Sequence, residues 1–103
     1  MPPKKTTGLT FGEATNRAKA GEAVARESWS KYEMFCYLIP LTTRSMINEV
    51  EKKIGTNITV KEHWGLYTIN NEVIPWNPYG SDVLANDWKV YEIKPKELDN
   101  GNS

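Results

Sequence analysis

The sequence has very little of the chemistry on which small enzymes and metalloproteins depend. Its 103 residues include one cysteine, Cys36, and one histidine, His63. A single cysteine excludes a disulfide within the chain, and the two residues fall short of the three or four nitrogen and sulfur ligands that zinc usually takes. Cys36 lies in an apolar run, which is typical of a buried thiol, and His63 has the pattern of a polar residue on a half-exposed strand. We therefore predict no catalytic residue, no metal and no cofactor.

Net charge and long apolar runs are also lacking. Lysine plus arginine equals aspartate plus glutamate at 13 each, so the bulk field that attracts polyanions is absent and no nucleic acid polymer is expected as a partner. No apolar segment approaches membrane-spanning length, and no hydrophobic stretch follows the basic first residues, so neither a membrane nor secretion is expected. The phosphate-binding patterns GxxxxGKS/T and GxGxxG do not occur, which argues against the common nucleotide enzymes.

What the chain does have predicts one small domain. A length of 103 residues with 39% hydrophobic and 25% charged residues suits a single compact unit. The predicted fold class is α+β, a small antiparallel sheet with two to three short helices, oligomeric, in residues 9–93. Residues 1–8 and 94–103 carry proline, charge and small polar residues without apolar periodicity, and we predict that both are disordered tails.

Two helices are predicted from capping and periodicity signals. Thr10 and Glu13 form a capping box ahead of the apolar positions of the first helix, which should end at Gly21. The second helix is predicted over residues 41–54 from the spacing of its apolar side chains. Its cap, its ion pair and its end are assigned to Thr43, to Glu49 with Lys53, and to Gly55.

Strands are predicted where β-branched and aromatic residues cluster between turn residues. The predicted strands are residues 22–29, residues 34–39, the stretch 58–69 with Gly65 as a bulge or a close approach, residues 73–74 and residues 88–93. The first two should pair as a hairpin, and Asn70 and Asn71 should turn the chain toward Val73. Since residues 34–39 are apolar on both faces, we expect the first helix to cover one face and another subunit to cover the other.

The stretch 73–88, VIPWNPYGSDVLANDW, combines a rigid backbone with recognition groups. Pro75 and Pro78 each remove an N–H donor, Gly80 permits a positive φ, and Ser81 can cap a short helix. The pattern predicts a strand, a sharp break, a helical turn and a strand. Such a segment should present its side chains outward.

Two tryptophans, Trp76 and Trp88, lie on this stretch with Asp82 and Asn86 between them. Aromatic faces beside hydrogen-bonding groups suit the recognition of a small molecule, although both tryptophans could equally fill the core, and that alternative stays open. From their positions we expect Trp76, between two prolines, to line a pocket and Trp88, at a strand end, to lie in the core. Asp82 should cap the helix or accept a hydrogen bond from a ligand hydroxyl.

A nucleotide is one ligand that these residues could hold. A planar base stacked on tryptophan or tyrosine gains about 1–3 kcal/mol. Arg26, Lys31 or Arg44 could offset phosphate charge, or could instead be solvated surface charges.

The order of motifs along the chain points to a known family. In chain order the motifs are FGEATNRAKAGEAVARESW, MFCYLIP, EHWGLYTINNEVIPW and SDVLANDW. Together, from Leu9 to Tyr91, they resemble the Thoeris anti-defense 2-like family of phage proteins. The most specific parts are Phe-x-Glu-Ala, Val-Ala-Arg-x-x-Trp, Val-Ile-Pro-Trp and Asp-x-Leu-Ala-x-Asp-Trp.

The resemblance implies a small α+β homotetramer that acts in the cytoplasm of the infected bacterial host. Its ligand would be a cyclic ADP-ribose-type signal made by a TIR enzyme, glycocyclic ADP-ribose, held without cleavage in recesses between protomers so that Thoeris immunity is blocked. The predicted ligand-binding residues are Arg26, Trp29, Phe35, Tyr37, Trp76, Ser81, Asp82 and Asn86.

Two other classes of function remain open from the sequence. In the first, the aromatic surface only holds an oligomer together and the chain is a structural or protein-interaction module. In the second, the chain is an enzyme that hydrolyses the nucleotide, which is disfavoured because no nucleophile and base are paired in the sequence.

Overall fold

The computed structural model describes residues 5–94. In chain order its elements are α1 (Phe11–Lys19), β1 (Val24–Arg26), a 3-10 helix (Glu27–Tyr32), β2 (Phe35–Ile39), β3 (Thr42–Arg44), α2 (Glu49–Ile54), β4 (Ile58–Val60), β5 (His63–Tyr67), β6 (Val73–Pro75), α3 (Gly80–Leu84) and β7 (Trp88–Val90). They form a five-stranded antiparallel sheet, a two-stranded sheet and short helices, so the α+β prediction is confirmed. Most of the two predicted tails lies outside the described residues.

The five-stranded sheet has the strand order β6-β5-β2-β1-β7. The predicted hairpin of β1 with β2 is present, with Val24 opposite Cys36. The predicted turn between β5 and β6 is also present, and Asn71 adopts the left-handed conformation there, with φ 62°. Both hairpins are short-range pairings, which is why local turn residues were sufficient to predict them.

Alternation along the strands gives the sheet two unlike faces. On the face that we call the helical face, Val24, Cys36 and Trp88 pack with Leu9 and with Ala14 of α1. On the opposite face, which we call the open face, the buried residues are Ala23, Ala25 and Phe35, and the cluster around them includes no residue of the three α-helices. Phe35 is buried on the open face and Cys36 on the helical face, so β2 is apolar on both of its faces, as predicted.

The first helix follows its sequence signals closely. Thr10 Oγ1 accepts a hydrogen bond from the Glu13 amide at 3.1 Å, and the Glu13 carboxylate accepts one from the Thr10 amide at 2.9 Å. Ala14 and Ala18 are buried, and Gly21, with φ 96°, turns the chain into β1. The small side chains of the two alanines allow α1 to lie close to the sheet.

The strand predicted over residues 22–29 is shorter than expected. It ends at Arg26, and the next six residues form the 3-10 helix Glu27–Tyr32. The amide of Glu27 donates to the carbonyl of Asp87, and Glu33 closes the turn in the left-handed conformation with φ 50°. The turn expected between the two strands of the hairpin is therefore present, but it begins earlier, at Glu27, because Asp87 from a distant part of the sequence holds the Glu27 amide.

The second helix begins later than predicted. Residues 42–44 form β3, which pairs with β4, and Thr43 is therefore a strand residue and not a cap. The cap is Asn48, whose Oδ1 accepts from the Glu51 amide at 2.9 Å, and Glu49 pairs with Lys52 and not with Lys53. The end at Gly55 is confirmed. Cross-strand pairing with Ile58 and Val60 outweighed the helical periodicity in this segment.

One β-ribbon runs through both sheets. The pairs from Phe35↔Tyr67 to Ile39↔His63 and those from Thr42↔Val60 to Arg44↔Ile58 keep a single antiparallel register. The ladder is interrupted at Pro40, which has no N–H to donate. Beyond this break β3 and β4 pair only with each other within the described residues. We call this outer part of the ribbon, residues 41–62 with α2 at its tip, the arm.

Gly65 lies in the centre of β5, between Tyr37 of β2 and Pro75 of β6. A Cβ at this position would lie 2.6 Å from Cδ1 of Ile39 and 3.0 Å from Cγ1 of Val73. The predicted close approach is confirmed, and the strand continues through it without an extra residue. Glycine here lets neighbouring side chains cross the strand on the open face.

Candidate functional site

The loop and helix that follow β6 carry most of the predicted binding residues. Helix α3 begins at Gly80 after Tyr79, and Asp82 Oδ2 accepts a hydrogen bond from the Tyr79 amide at 2.9 Å. Asp82 is thus the capping carboxylate, as predicted. Ser81 lies inside the first turn and is not the cap, and Gly80 has no positive φ, so both of those predictions are wrong. Tyr79 has an extended backbone, and this lets the chain enter the helix without a left-handed glycine.

Arg26, at the end of β1, binds two carboxylates at once. Its Nη1 lies 2.7 Å from Asp82 Oδ1, and its Nε and Nη2 donate to the carboxylate of Asp87. The side chain is only 18% exposed, and its Cζ lies 5.9 Å from the ring centre of Trp88. The hydrogen bonds that Arg26 donates to Asp87 and Asp82 raise its pKa, while burial opposes them. Its positive charge is therefore already matched within the chain.

The three-residue network connects β1 to α3 and to the loop that precedes β7. It joins parts of the chain that are 56 and 61 residues apart. One guanidinium faces two carboxylates, so the network as a whole carries a net negative charge at neutral pH. Such a site does not attract a phosphate, and the geometry gives Arg26 and Asp82 a structural role. Arg44, the second cation considered from sequence, is likewise paired, with Glu51 in the arm at 2.7 Å.

The four tryptophans meet on the helical face. Trp76 makes edge contacts with Trp29, Trp64 and Trp88, with ring centres 5.8, 5.8 and 6.1 Å apart. Trp88 is fully buried, and its Nε1 donates to the carbonyl of Asp82 at 2.9 Å. The core prediction for Trp88 is confirmed. Trp76 is half-buried against the same cluster, so one part of its ring is packing and the other part is accessible.

The open face carries a second aromatic group, which includes the predicted residues Phe35 and Tyr37. Phe35 is stacked between Tyr67 and Tyr91, with ring centres 4.9 and 4.8 Å away and interplanar angles of 13° and 28°. The ring of Tyr37 lies 6.0 Å from that of Phe35. Ala25 of β1 and Ala23 just before it leave the space between β2 and β7 that the rings fill.

This aromatic stack forms one wall of a recess of about 840 Å³. Besides Phe35, Tyr67 and Tyr91, the polar and charged residues that line it are Glu33, Asn71, Lys89, Glu92 and Lys94. Tyr67 Oη donates to Asn71 Oδ1 at 2.9 Å. Lys89 Nζ donates to Ser30 Oγ at 2.6 Å and lies 3.2 Å from the carboxylate of Glu27. A flat apolar wall thus borders the cavity together with two lysines, of which Lys89 is held by Ser30 and Glu27 and Lys94 is exposed.

The predicted site residues therefore divide between the two faces. Arg26, Trp76 and Asp82 belong to the helical face, whereas Phe35 and Tyr37 belong to the open face. Trp29, in the 3-10 helix, packs against both clusters. The remaining two, Ser81 and Asn86, are exposed. Within one chain these residues do not converge on one cavity.

Sequence reasoning did not find Tyr67, Lys89 and Tyr91. A signal was present for Tyr67, because antiparallel register places it directly opposite Phe35 and hence on the same face. A second signal was the Ala23 and Ala25 pair, since small residues at alternate positions of a central strand leave room for large neighbours. Lys89 of β7 pairs directly with Ala25 and therefore shares its face.

The residues considered for catalysis lie apart from this recess. Burial raises the pKa of the Cys36 thiol to about 12, and the side chain is fully buried, as predicted. His63 Nδ1 lies 2.8 Å from the carbonyl oxygen of Lys61. In residues 5–94 no group of three or more histidine, cysteine, aspartate or glutamate side chains is placed to hold a metal ion. No helix of that same segment has the length and apolar character needed to cross a membrane.

Comparison with known proteins decides the family. A family model described as the Thoeris anti-defense 2-like domain matches residues 9–91. The chain belongs to this family. It is also similar to a protein named Thoeris anti-defense 2 from Bacillus phage SP01, with 29% identity over 87 residues that cover 82% of this chain and 96% of that protein. The resemblance seen in the motifs is confirmed, and membership of the Thoeris anti-defense 2-like family supports a phage anti-defense role.

Proposed function

We propose that this chain binds and sequesters a TIR-derived cyclic ADP-ribose-type nucleotide, glycocyclic ADP-ribose, without cleaving it. It would act as a homotetramer in the cytoplasm of the infected host. Thoeris immunity would be blocked because the signal would not reach the immune effector that it activates. The observation that carries the proposal is the stack of Tyr67, Phe35 and Tyr91 in a recess bordered by lysines. Membership of an anti-defense family supports the biological role.

The recess suits a nucleotide in size and in surface. A volume of about 840 Å³ lies within the range of small-molecule sites, which is about 300–1,000 Å³. The tyrosine rings offer flat surfaces, and stacking of a base on such a ring is worth about 1–3 kcal/mol. No covalent step is needed for sequestration, so affinity and a slow release rate are sufficient for the function.

The charged side chains of the recess match the other parts of the ligand. Lys89 is held by Ser30 and Glu27, so it is a fixed cation toward which a pyrophosphate can be oriented. Lys94 is exposed, so its side chain can reorient to form an ion pair with the phosphates. Glu33 and Glu92 supply carboxylates that accept hydrogen bonds from ribose hydroxyls. We assign the ligand to this face in preference to the network of Arg26, because Arg26 does not line the recess and its guanidinium is already bound to both Asp82 and Asp87.

The homotetramer would give the exposed predicted residues a role. Ser81 and Asn86 lie on α3 and on the loop after it, and neither of them lines the recess of its own chain. They can contribute to a ligand in the recess only from a neighbouring protomer. A ligand held between protomers would be covered on its solvent side, which lowers its rate of escape.

The direct test is to incubate the purified protein with glycocyclic ADP-ribose, remove free ligand by filtration, denature the protein by heat and analyse what is released by mass spectrometry. Intact ligand supports sequestration. A hydrolysed product would show that the chain is an enzyme, and the absence of any retained ligand would leave a structural module.

A matched set of variants locates the site. Tyr91→Ala should weaken calorimetric affinity about 10-fold to 100-fold, as expected for one lost stacking contact. Tyr79→Ala is the control, because that tyrosine is 78% exposed and is not part of the recess wall. Lys89→Ala and Lys61→Ala form a second pair, of which only the first should weaken binding. Equal effects within either pair would rule out the recess as the binding site.

A further inference from the structure

Lys89 reaches the recess with its ammonium already bound on one side. The residue lies opposite Ala25 in the pairing of β1 with β7, and its side chain is 23% exposed. Its Nζ donates to Ser30 Oγ at 2.6 Å and lies 3.2 Å from the carboxylate of Glu27. Ser30 Oγ and Glu27 Oε2 are 3.4 Å apart, so both groups contact the ammonium from the same side. We call Glu27, Ser30 and Lys89 the clamp.

The 3-10 helix holds both partners of Lys89 in place. The Glu27 amide donates to the Asp87 carbonyl at 3.1 Å, which fixes the start of this helix against the loop before β7. The Ser30 hydroxyl donates its proton to the Glu27 carbonyl at 2.9 Å, so its oxygen acts as an acceptor toward Lys89. The clamp is therefore formed within the chain and does not depend on a ligand.

The clamp leaves Lys89 as a directed donor for a ligand. An ammonium has three N–H groups, and Ser30 accepts from one of them. Among the described residues, the wall of the recess includes Lys89 but neither Glu27 nor Ser30. The N–H capacity that the clamp does not use is thus available on the side of the recess. A ligand oxygen has to lie at one position to accept this hydrogen bond.

The clamp also reduces the positive charge that a ligand meets. Two lysines and two glutamates line the recess, namely Lys89, Lys94, Glu33 and Glu92. Glu27 adds a third carboxylate, 3.2 Å from the Lys89 ammonium. In the described part of the chain, three carboxylates therefore face two ammonium groups at this site. A second negative charge on a ligand group beside Lys89 would be repelled by Glu27.

We propose that Glu27 is a specificity-determining residue, through which the recess selects nucleotides with internal phosphates over nucleotides with a terminal phosphate. The inference rests on the proposed binding of a nucleotide in the recess. An internal phosphate has one negative charge, whereas a terminal phosphate has about two at neutral pH. The single charge is matched by Lys89, and the additional charge of a terminal phosphate faces Glu27. Nucleoside mono-, di- and triphosphates, which cells contain in excess, would therefore compete poorly with a cyclic signal.

A matched pair of ligands tests this selectivity. ADP and its β-methyl ester differ in whether the last phosphate has a second negative charge. Equilibrium dialysis at about pH 8, without divalent cations, keeps that charge in place and measures both affinities on one protein sample. The wild type should bind the methyl ester at least about 3-fold more tightly than ADP, and Glu27→Gln should reduce this preference at least about 2-fold. Partial unfolding lowers both affinities equally, so a purely structural effect would leave the preference unchanged.

Two further variants separate charge from position. Glu62→Gln is the matched control for charge, because this glutamate is exposed in the arm and is not part of the recess wall. It should leave the preference unchanged. Ser30→Ala should weaken the binding of both ligands and keep the preference, since it removes a hydrogen bond to Lys89 but no charge. In a Lys89→Met background, Ser30→Ala should have no further effect on either affinity, because it acts through Lys89.

The outcomes separate this inference from the proposed function. If Glu27→Gln keeps the wild-type preference, or if the wild type binds neither ADP nor its methyl ester, the role of Glu27 is wrong even where glycocyclic ADP-ribose is retained. If the preference is present and falls in Glu27→Gln while glycocyclic ADP-ribose is not retained, the role of Glu27 stands and the sequestration proposal fails. A full effect of Ser30→Ala in the Lys89→Met background would overturn the clamp as the means of positioning.

Discussion

Replacement of Asp82 is expected to show that its network with Arg26 and Asp87 supports the fold. Asp82 is only 7% exposed, and its carboxylate accepts one hydrogen bond from the Tyr79 amide and one from Arg26. Asp82→Ala removes a helix-capping acceptor, which costs about 0.5–2 kcal/mol. It also leaves part of a largely buried guanidinium unpaired, and breaking a buried ion pair costs about 3–5 kcal/mol. Because Arg26 keeps Asp87, we expect a total loss of about 3–5 kcal/mol in the free energy of unfolding.

Asp82→Asn separates the two contributions. The amide oxygen can still accept from the Tyr79 amide, so only the ion pair is lost, and we expect Asp82→Asn to cost less than Asp82→Ala by the capping contribution of about 0.5–2 kcal/mol. The double variant Arg26→Met with Asp82→Ala should be less destabilised than the sum of the single variants, by about 0.5–3 kcal/mol, since both remove the same contact. Glu49→Ala is the control, because its ion pair with Lys52 is exposed and should change stability by less than about 0.5 kcal/mol.

The assay is urea unfolding followed by tryptophan fluorescence, which reports on the cluster of four tryptophans that includes Trp88. All variants are compared at one fixed protomer concentration, because assembly shifts the apparent stability. A cost below about 1 kcal/mol for Asp82→Ala would refute the structural role. Equal costs for the alanine and asparagine variants would refute the capping contribution. A variant that keeps its stability and loses the nucleotide would return Asp82 to the ligand site.

Three further outcomes are expected. Trp88→Ala should lose about 3–5 kcal/mol of stability because the Trp88 ring is fully buried, and Trp76→Ala should lose less because the Trp76 ring is half-buried. The opposite order of the urea midpoints would contradict the packing described. Hydrogen bonds from Arg44 and the Ile47 amide lower the pKa of Glu51 from 4.5 to about 2, so its stabilisation of the arm should be complete above pH 4.5 and should be lost as the pH falls toward 2. The protection factor of the Ile47 amide against hydrogen exchange should fall over that range in the wild type, and not in Glu51→Gln. Cys36, with its pKa raised to about 12, should react with a thiol reagent only at the rate of unfolding, and rapid labelling of the native protein would show that the sheet opens.

Local signals in the sequence predicted those parts of the fold that depend on neighbouring residues. The capping box of Thr10 and Glu13 is complete within four residues, and the turn before β6 is formed by hydrogen bonds among residues 68–72, with Asn71 in the left-handed conformation. By contrast, residues 42–44 were included in a helix that was predicted from the apolar positions after them, but they form a strand because Ile58 and Val60 pair with this segment. The residue pattern of one segment does not show which distant strand will pair with it.

Only part of the candidate site was predicted, because its residues also come from segments that are distant in the sequence. Aromatic content drew attention to Phe35, but its position between Tyr67 and Tyr91 follows from strand order, which no single segment contains. Arg26 was considered as a phosphate contact because it is a cation in a chain rich in aromatic residues. Its two carboxylates come from α3 and the loop beyond it, and only the folded chain shows that its charge is already matched.

The continuous register of the long β-ribbon has a consequence for how the chain folds. Arg44 and Ile58 are the pair closest in sequence, and the separation grows by two residues at each step inward to Phe35 and Tyr67. Loop-closure entropy rises slowly with length, so each pair costs little once the one before it has formed, and the strands can close from the tip toward the sheet. A slip of one residue at the tip would turn every later side chain to the wrong face. In this order of closure, the capped turn of α2 fixes the register of the ribbon first. The register then decides which face of the central sheet carries the aromatic stack.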